Sequence, residues 1–474
     1  MAVPVDWPQI SVTMVKTAIT KRATDSKVGG LPWFLFDLTK YLTEGSSVTT
    51  QKSINNPNGN FTLHLDNQLV KEWGLSLYEV IEPMDAIEIR MSRVGKPELV
   101  MRGMVTDTSL EESLWEGGKP ARKVTVRGGD YGNIWRMVQI HFLKGTDISQ
   151  YLLQISGQGL KEKVPYTVLT SGQFVQYLND MVVNKFIERL DNPLFIPMSV
   201  DSSGADPSDA VYPQGVQVNP QGTLWSQLQL HGNLGPFYEC FIDDTESATT
   251  LVYRKPAYKQ LDAAGNGAYI FPTTSAESIT IIPEDVIALT RARSEHDVSN
   301  WYFVQRGRGD WLPSINNKIN SIIGDGSFLS KATYDNCAEI LFGFRALEVD
   351  TNHGSMLVPM ISGAKEPEHI ASSDENVSYM KKQIKYLQDC NVDNVMFESG
   401  SLRCKGNAVY RPGRYAEIQW RNGVKFTGYV NTVTHVFEPM RSFTTTLQYI
   451  RGTEFFSKTA AANAYFRGKG VYER

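Results

Sequence analysis

The sequence predicts a β-rich α+β protein in which two tube-like antiparallel β-barrel modules are joined by a mixed α/β region. Three observations predict it. A three-strand pattern occurs twice, as MDAIEIRM, ELVMRGMV and KVTVRGGD across 84–130 and as GRYAEIQW, VKFTGYVNTVTHVF and SFTTTLQYIRGTEF across 413–455. The two copies keep nearly the same spacing: aligning Glu88 with Glu417 sets Gly103 beside Gly428 and the pair Arg127, Gly128 beside Arg451, Gly452, with 25 residues from glycine to glycine in the first copy and 24 in the second. Between the copies the hydrophobic period changes from two to that of a helix.

Taken in order, residues 1–135 alternate as half-buried strands do. In KVTVRG, Val124 and Val126 share one face while Lys123, Thr125 and Arg127 share the other. Asn-Pro-Asn-Gly at 56–59 and Gly117-Gly118 supply the turns. Strands of this kind must hide their edges, so a closed barrel or sandwich is expected for this first module. Residues 136–280 form the mixed middle domain. Ser171 is placed to cap a helix whose stripe is Phe174, Leu178, Met181, Val182 and Phe186, with Asn179, Lys185 and Glu188 on the other faces. A polar loop at 201–215 and a short helix at 223–230 follow, and strands then resume in FYECFIDD, TTLVYRKP and SITIIPEDVIALT. Residues 281–458 are the second barrel module, with a helical insertion at about 310–395 whose buried row is Val377, Met380, Ile384 and Leu387 and whose solvated face carries Lys381, Lys382 and Lys385. Residues 459–474 are a tail.

Bulk composition excludes several function classes. The chain has 474 residues, 41% hydrophobic and 21% charged, which is ordinary for a globular protein of two or three domains. A net charge of −4 argues against a protein that neutralises nucleic-acid phosphates. No segment approaches the roughly 18 consecutive apolar residues of a membrane span, and the N-terminus lacks the basic and apolar regions of a secretory signal, so no membrane insertion is expected and assembly in the cytoplasm is. Cys240, Cys337, Cys390 and Cys404 are widely spaced, with no C-x-x-C, and read as buried free thiols.

Catalytic chemistry is equally unsupported. The seven histidines, at 64, 141, 231, 296, 353, 369 and 435, show no metal-ligand spacing, and His435 in VTHVF reads as a packed strand residue. Neither a G-x-S-x-G elbow, nor a Walker A loop, nor a dinucleotide fingerprint is present. The acid pairs Glu111/Glu112 and Asp243/Asp244 could in principle serve a glycosidase, but they fall where turns are expected and read as solvated loop acids. RGRGD at 306–310 reads as a charged turn, and Trp301, Tyr302 and Phe303 read as split between core and interface. The expectation is therefore no enzyme, no catalytic residue, no cofactor and no metal.

The succession of an IEI or AEI strand, a strand closing on GMV or GYV, a THVF segment and a last strand ending in RG resembles the central hub proteins of bacteriophage tails, a family that includes the late control protein D group and the hub-like half of type VI secretion spike proteins. FYECFIDDTESATTLVYRKP, PEDVIALTRARSEHDVSNWYFV at 283–304 and RPGRYAEIQW at 411–420 resemble hub proteins in the same order along the chain. The resemblance implies a homotrimeric ring in a virion tail baseplate that adapts a six-fold tail tube to a three-fold central spike and forms part of the DNA conduit. The implied partners are the tail tube or tube-initiator protein, the spike, baseplate wedge proteins, the tape measure protein and passing DNA that is not held. The ending SKTAAANAYFRGKGVYER leaves any lytic or spike domain to another protein. Two alternatives stay open: a β-rich carbohydrate-active enzyme or sugar-binding receptor, which leaves the duplicated pattern unexplained, and a secretion-system spike hub, which shares the fold.

Overall fold

The computed structural model of the chain describes residues 7–16, 34–114, 120–140, 169–190, 192–211, 222–260, 267–306, 330–331, 339–351, 353–355, 366–419 and 425–454. The period-two segments of the first half become six principal strands: β1 (Gln9–Lys16), β2 (Ser47–Ser53), β3 (Asn56–Asp66), β4 (Ala86–Ser92), β5 (Glu98–Leu114) and β6 (Pro120–Asp130). They pair in the order β2-β3-β6-β5-β4-β1, with the short strand Phe34–Asp37 beyond β1. Those of the second half become β7 (Ser278–Ile281), β8 (Val286–Ala292), β9 (Glu398–Lys405), β10 (Tyr415–Gln419), β11 (Lys425–Glu438) and β12 (Ser442–Thr453). Their order is β8-β9-β12-β11-β10-β7. The second half therefore repeats the strand order of the first, six labels on. One pairing differs in sense: β1 runs antiparallel to β4, whereas β7 runs parallel to β10.

Each half curls around its own apolar core. Val12 and Met14 (β1), Val48 (β2), Leu63 (β3), Ile89 (β4), Val105 (β5) and Val126 (β6) are buried in one cluster. Ile281 (β7), Leu402 (β9), Ile418 (β10), Val430 (β11) and Leu447 (β12) are buried in another, against which Val286 and Leu289 of β8 pack. Burying each such side chain contributes about 1.5–3 kcal/mol. The halves are continuous with one another, because the outer part of β11 pairs antiparallel with β2 and makes a single sheet of both. Pairing along each half is mostly antiparallel, and among the described residues neither half has a strand pairing that closes it on itself.

A third and larger core belongs to the middle of the chain. The helix Ser171–Leu178 supplies Phe174 and Leu178, and the helix Leu224–His231 supplies Leu224 and Leu228. The three-stranded sheet of Met198–Asp201, Glu239–Asp244 and Thr249–Arg254 adds Ile242 and Leu251. Described parts of the segment between β8 and β9 join this core and not that of the second half: Tyr302, Val349, Met380, Ile384 and Leu387 all pack there. Lys381, Lys382 and Lys385 stay exposed on the helix Glu366–Asn391, while the side chain of Val377 lies outside the described residues. The three consecutive aromatics divide, Tyr302 being fully buried and Trp301 packing against Phe344.

Two local expectations need correction. Thr170, not Ser171, caps the helix: its extended backbone lets its hydroxyl accept from Gln173 N, and Gln173 returns the bond in a capping box. Asn179 lies inside and not on an outer face, donating to Met198 O at 2.7 Å. A π-turn at Asn179–Val183 inserts extra backbone there and rotates the helix face relative to the 3.6-residue period.

Candidate functional site

The eight repeat positions fall into two groups. In the first two strands of each copy they occupy the same ladder places: Gly103 faces Ile87 as Gly428 faces Ala416, and Glu88 faces Arg102 as Glu417 faces Thr427. Both acids meet a cation, Glu88 lying between Arg90 at 2.6 Å and Arg102 at 3.1 Å and Glu417 against Lys425. The third strands diverge. Gly128 faces Phe61 and Val105, whereas Gly452 faces Glu398. Two register shifts interrupt β11–β12 where one interrupts β5–β6, so the counterpart of Val126 by ladder position is Leu447, not Ile450. Arg127 is exposed beside Asp107, while Arg451 is buried at φ +54 between the rings of Tyr258 and Phe397 and donates to Lys259 O.

Neither acid pair lies in a turn, and only the first is solvated. Glu111 and Glu112 lie on β5, where they are exposed. Asp243 and Asp244 end the strand Glu239–Asp244, and Asp244 is fully buried. They form the centre of a weld between the first half and the middle region. Lys52 of β2 places Nζ 2.6 Å from Asp244 Oδ2 and 3.8 Å from Asp130 Oδ2. Thr249 Oγ1 donates to Asp244 Oδ1 at 2.8 Å. The Arg102 guanidinium donates to the carbonyls of Thr245 and Glu246, each at 2.9 Å, and Arg90 holds both oxygens of Glu246. From the second half, Arg411 also enters this weld, bonding Asp243 at 2.8 Å and reaching the carbonyl of Asp244. The unoccupied space left beside Lys52, Asp243, Arg411 and His435 is about 10 Å³, no more than a water would fill.

A second weld ties the middle region to the second half. Glu239, buried, accepts from Arg254 at 2.6 Å and from the Tyr429 hydroxyl at 2.7 Å, and Arg254 continues to Gly413 O at 2.7 Å. Burial raises the Glu239 carboxyl above its ordinary value against the pull of Arg254. In the first weld, burial pushes Asp130 up to about 7, with Lys52 opposing and the charge of Asp244 reinforcing. Burial likewise holds His435 down to about 3, its Nδ1 lying 2.9 Å from Thr445 Oγ1. Such groups are spent on each other. The arrangement fixes the relative position of three bodies and offers no open carboxylate pair, and among the described residues no set of three His, Cys, Asp or Glu is placed to hold a metal.

Lys52, Asp130, Arg102, Glu239, Arg254 and Arg411 went unrecognised in the sequence. Their partners lie up to 312 residues away, and the one available signal was a charge continuing an apolar strand run, as with Asp243 and Asp244 after ECFI.

No family model matches the chain, and no curated protein matches it in sequence. Among solved structures it is similar to the 43 kDa tail protein of prophage MuSo2 from Shewanella oneidensis, with 10% identity and a TM-score of 0.48 over 95% of this chain and 100% of that one. Its structural neighbours include prophage tail proteins. The tail protein from Neisseria meningitidis MC58 shows 8% identity and a TM-score of 0.45, covering 94% of this chain and 96% of its own. Prophage tail protein gp18 from Listeria monocytogenes EGD-e shows 8% identity and a TM-score of 0.43, covering 92% and 94%.

Proposed function

We propose that the chain is the structural hub of a phage tail baseplate, in which three copies close head to tail into a ring of six near-equivalent β-modules. The observation that carries this reading is the repeated six-strand order, each repeat around its own core. A subunit with two similar modules offers six similar sites on one side of a trimer and three distinct ones wherever the modules differ. It can thus adapt a six-fold tube to a three-fold spike. Heterologous contacts permit this, since they close into rings, and isologous ones do not. The modules differ where a spike-side surface would need them to: 15 residues separate Glu88 from Gly103 and 11 separate Glu417 from Gly428. Each module serves as a tube-like barrel once its neighbours complete it. A net charge of −4 suits a conduit through which DNA slides unheld.

The engagement of Asp243 and Asp244 in the weld supports a structural over a hydrolytic role. Mass measurement with particle imaging of the purified chain tests the proposal. A three-copy ring with six lobes and an axial hole is expected, and a monomer at every concentration, or a closed dimer, would refute it.

A further inference from the structure

We infer that neighbouring copies join edge to edge, β5 of one chain adding β8 of the next, so that the junction made once inside the chain is made again between chains. The inference rests on the ring reading above and names its contact.

Inside the chain, residues 432–437 of β11 pair antiparallel with residues 48–53 of β2, from Thr432 opposite Ser53 to Phe437 opposite Val48. This is what joins the second half to the first. By strand order the counterpart of β11 is β5 and the counterpart of β2 is β8. Counting from the matched glycines Gly428 and Gly103, residues 432–437 correspond to 107–112. In β11 that stretch is covered, with Val433, His435 and Phe437 buried. In β5 it is bare: among the described residues it pairs with β6 alone, and Asp107, Ser109, Leu110, Glu111 and Glu112 are exposed.

The acceptor edge is bare as well. Among the described residues β8 pairs with β9 alone, its other edge is free, and Ile287, Ala288, Thr290, Arg291 and Ala292 are exposed. Ladder rows set the register. Val48, Leu63, Val126 and Thr108 lie in one row, and Leu289, Leu402, Leu447 and Val433 in the other. Leu289 is therefore the counterpart of Val48, and Arg293 falls where Lys52 stands. Carrying the internal register across sets Glu112 opposite Leu289, Leu110 opposite Arg291, Ser109 opposite Ala292 and Thr108 opposite Arg293. One charge contact agrees with it: Glu112 shares a face with Arg291 and lies diagonal to it, adding an acid beside a guanidinium that within the chain already pairs with Glu398 and Glu454, while Asp107 and Glu111 point to the other face. Two strand edges on one chain, unpaired among the described residues, are a template for a second copy. Because the two edges differ, each addition leaves one of each free, which is the condition for ring closure.

Ser109→Cys and Ala292→Cys, both at exposed positions, test this. Directly opposed residues lie about 4.5–5.5 Å apart at Cα, within disulfide reach. Under mild oxidation, an equal mixture of the two single variants is expected to give a disulfide-linked dimer that neither gives alone, and the double variant a covalent ring. Glu112→Lys, which sets a cation diagonal to Arg291, is expected to raise the dissociation constant about two- to fivefold per contact. A ring of correct mass in which the mixture fails to cross-link would overturn the edge contact and leave the ring standing. Absence of any assembly would take both down.

Discussion

A Cβ added at Gly103 has nowhere to go. It would lie 2.1 Å from the carbonyl oxygen of Gly129, 2.8 Å from that carbonyl carbon and 3.0 Å from Asp130 Cα, all backbone of the paired strand β6. Ordinary contact is about 3.5 Å, so relief requires β5 and β6 to part by roughly 1 Å across the ladder around Gly103. Weakening two ladder bonds at about 1 kcal/mol each and overpacking at about 1–2 kcal/mol together put Gly103→Ala at roughly 3–4 kcal/mol. For its sequence counterpart Gly428 the three nearest atoms all belong to the Tyr449 side chain, at 3.0–3.3 Å, and a side chain can yield by a few tenths of an ångström where backbone cannot. Gly428→Ala is expected to cost about 1 kcal/mol or less, and the bulkier Gly428→Val about 1–3 kcal/mol. The assay is urea unfolding followed by the circular dichroism of the strands. With an m-value of about 3 kcal/mol/M, Gly103→Ala should lower the midpoint by about 1 M and Gly428→Ala by about 0.3 M or less. Equal shifts, or a larger shift at Gly428, would refute the reasoning that backbone proximity sets the cost.

Acid should weaken the fold in a defined window. His435 and His231, held down to about 3 and about 4 by burial, refuse a proton that the unfolded chain accepts below about 6.5, so each contributes stability that is complete above 6.5 and lost at about 1.4 kcal/mol per pH unit below it. Asp130, raised to about 7, works in the opposite sense, gaining stability as pH falls from about 7 towards the ordinary carboxylate value. His435→Asn should therefore flatten the slope of stability between pH 6 and 4 by about 1.4 kcal/mol per unit relative to the parent chain, and an unchanged slope would show His435 is not a buried neutral group. Lys52→Met removes the cation between two buried carboxylates and should cost about 3–5 kcal/mol by urea titration, whereas a neutral result would mean that Asp130 and Asp244 find other support. Duplex DNA of random sequence should bind weakly at physiological salt, and salt-sensitive submicromolar affinity in an anisotropy titration would contradict a passive conduit.

Strand periodicity was legible because period two survives any tertiary context that buries one face. KVTVRG became the alternation of buried Val124 and Val126 in β6, and VTHVF became buried Val433, His435 and Phe437 in β11. The first two strands of the duplicated pattern could be matched by sequence because Gly103 and Gly428 stand at equal ladder places. The third strand could not, since a β-bulge moves register without leaving a residue signature, and β11–β12 has one shift more than β5–β6. The cap was missed by one position because Thr170 and Ser171 are equally suited to it chemically, and only backbone dihedrals separate them. The welds were illegible for a different reason. Asp244 and Lys52 are 192 residues apart, and a buried acid becomes favourable only through a cation that folding brings to it.

Those welds bear directly on how a ring could close. A head-to-tail contact generates a closed ring only when the rotation per step is fixed, and in the proposed six-module ring the angle between the two halves of one chain would be half of that step. The β11–β2 ladder alone spans six residues of each strand, and paired strands vary in twist by tens of degrees. A ladder of that length leaves the angle soft. The middle region removes the softness by gripping both halves: Asp244 and the carbonyls of Thr245 and Glu246 take Lys52 and Arg102 from the first, while Glu239 and Arg254 take Tyr429 and Gly413 from the second. Glu239 and Asp244 are the two ends of one strand only six residues long, so the grips on the two halves sit on one rigid element. Ile54 N bonding to Asn431 O, and Cys240 N to Ile54 O, carry the same strand to the turn beside the β11–β2 junction. Buried charges at such a place add little net stability beyond what apolar packing would give, but they tolerate one geometry only. In the proposed ring each subunit would set an angle, and there that intolerance is the useful property.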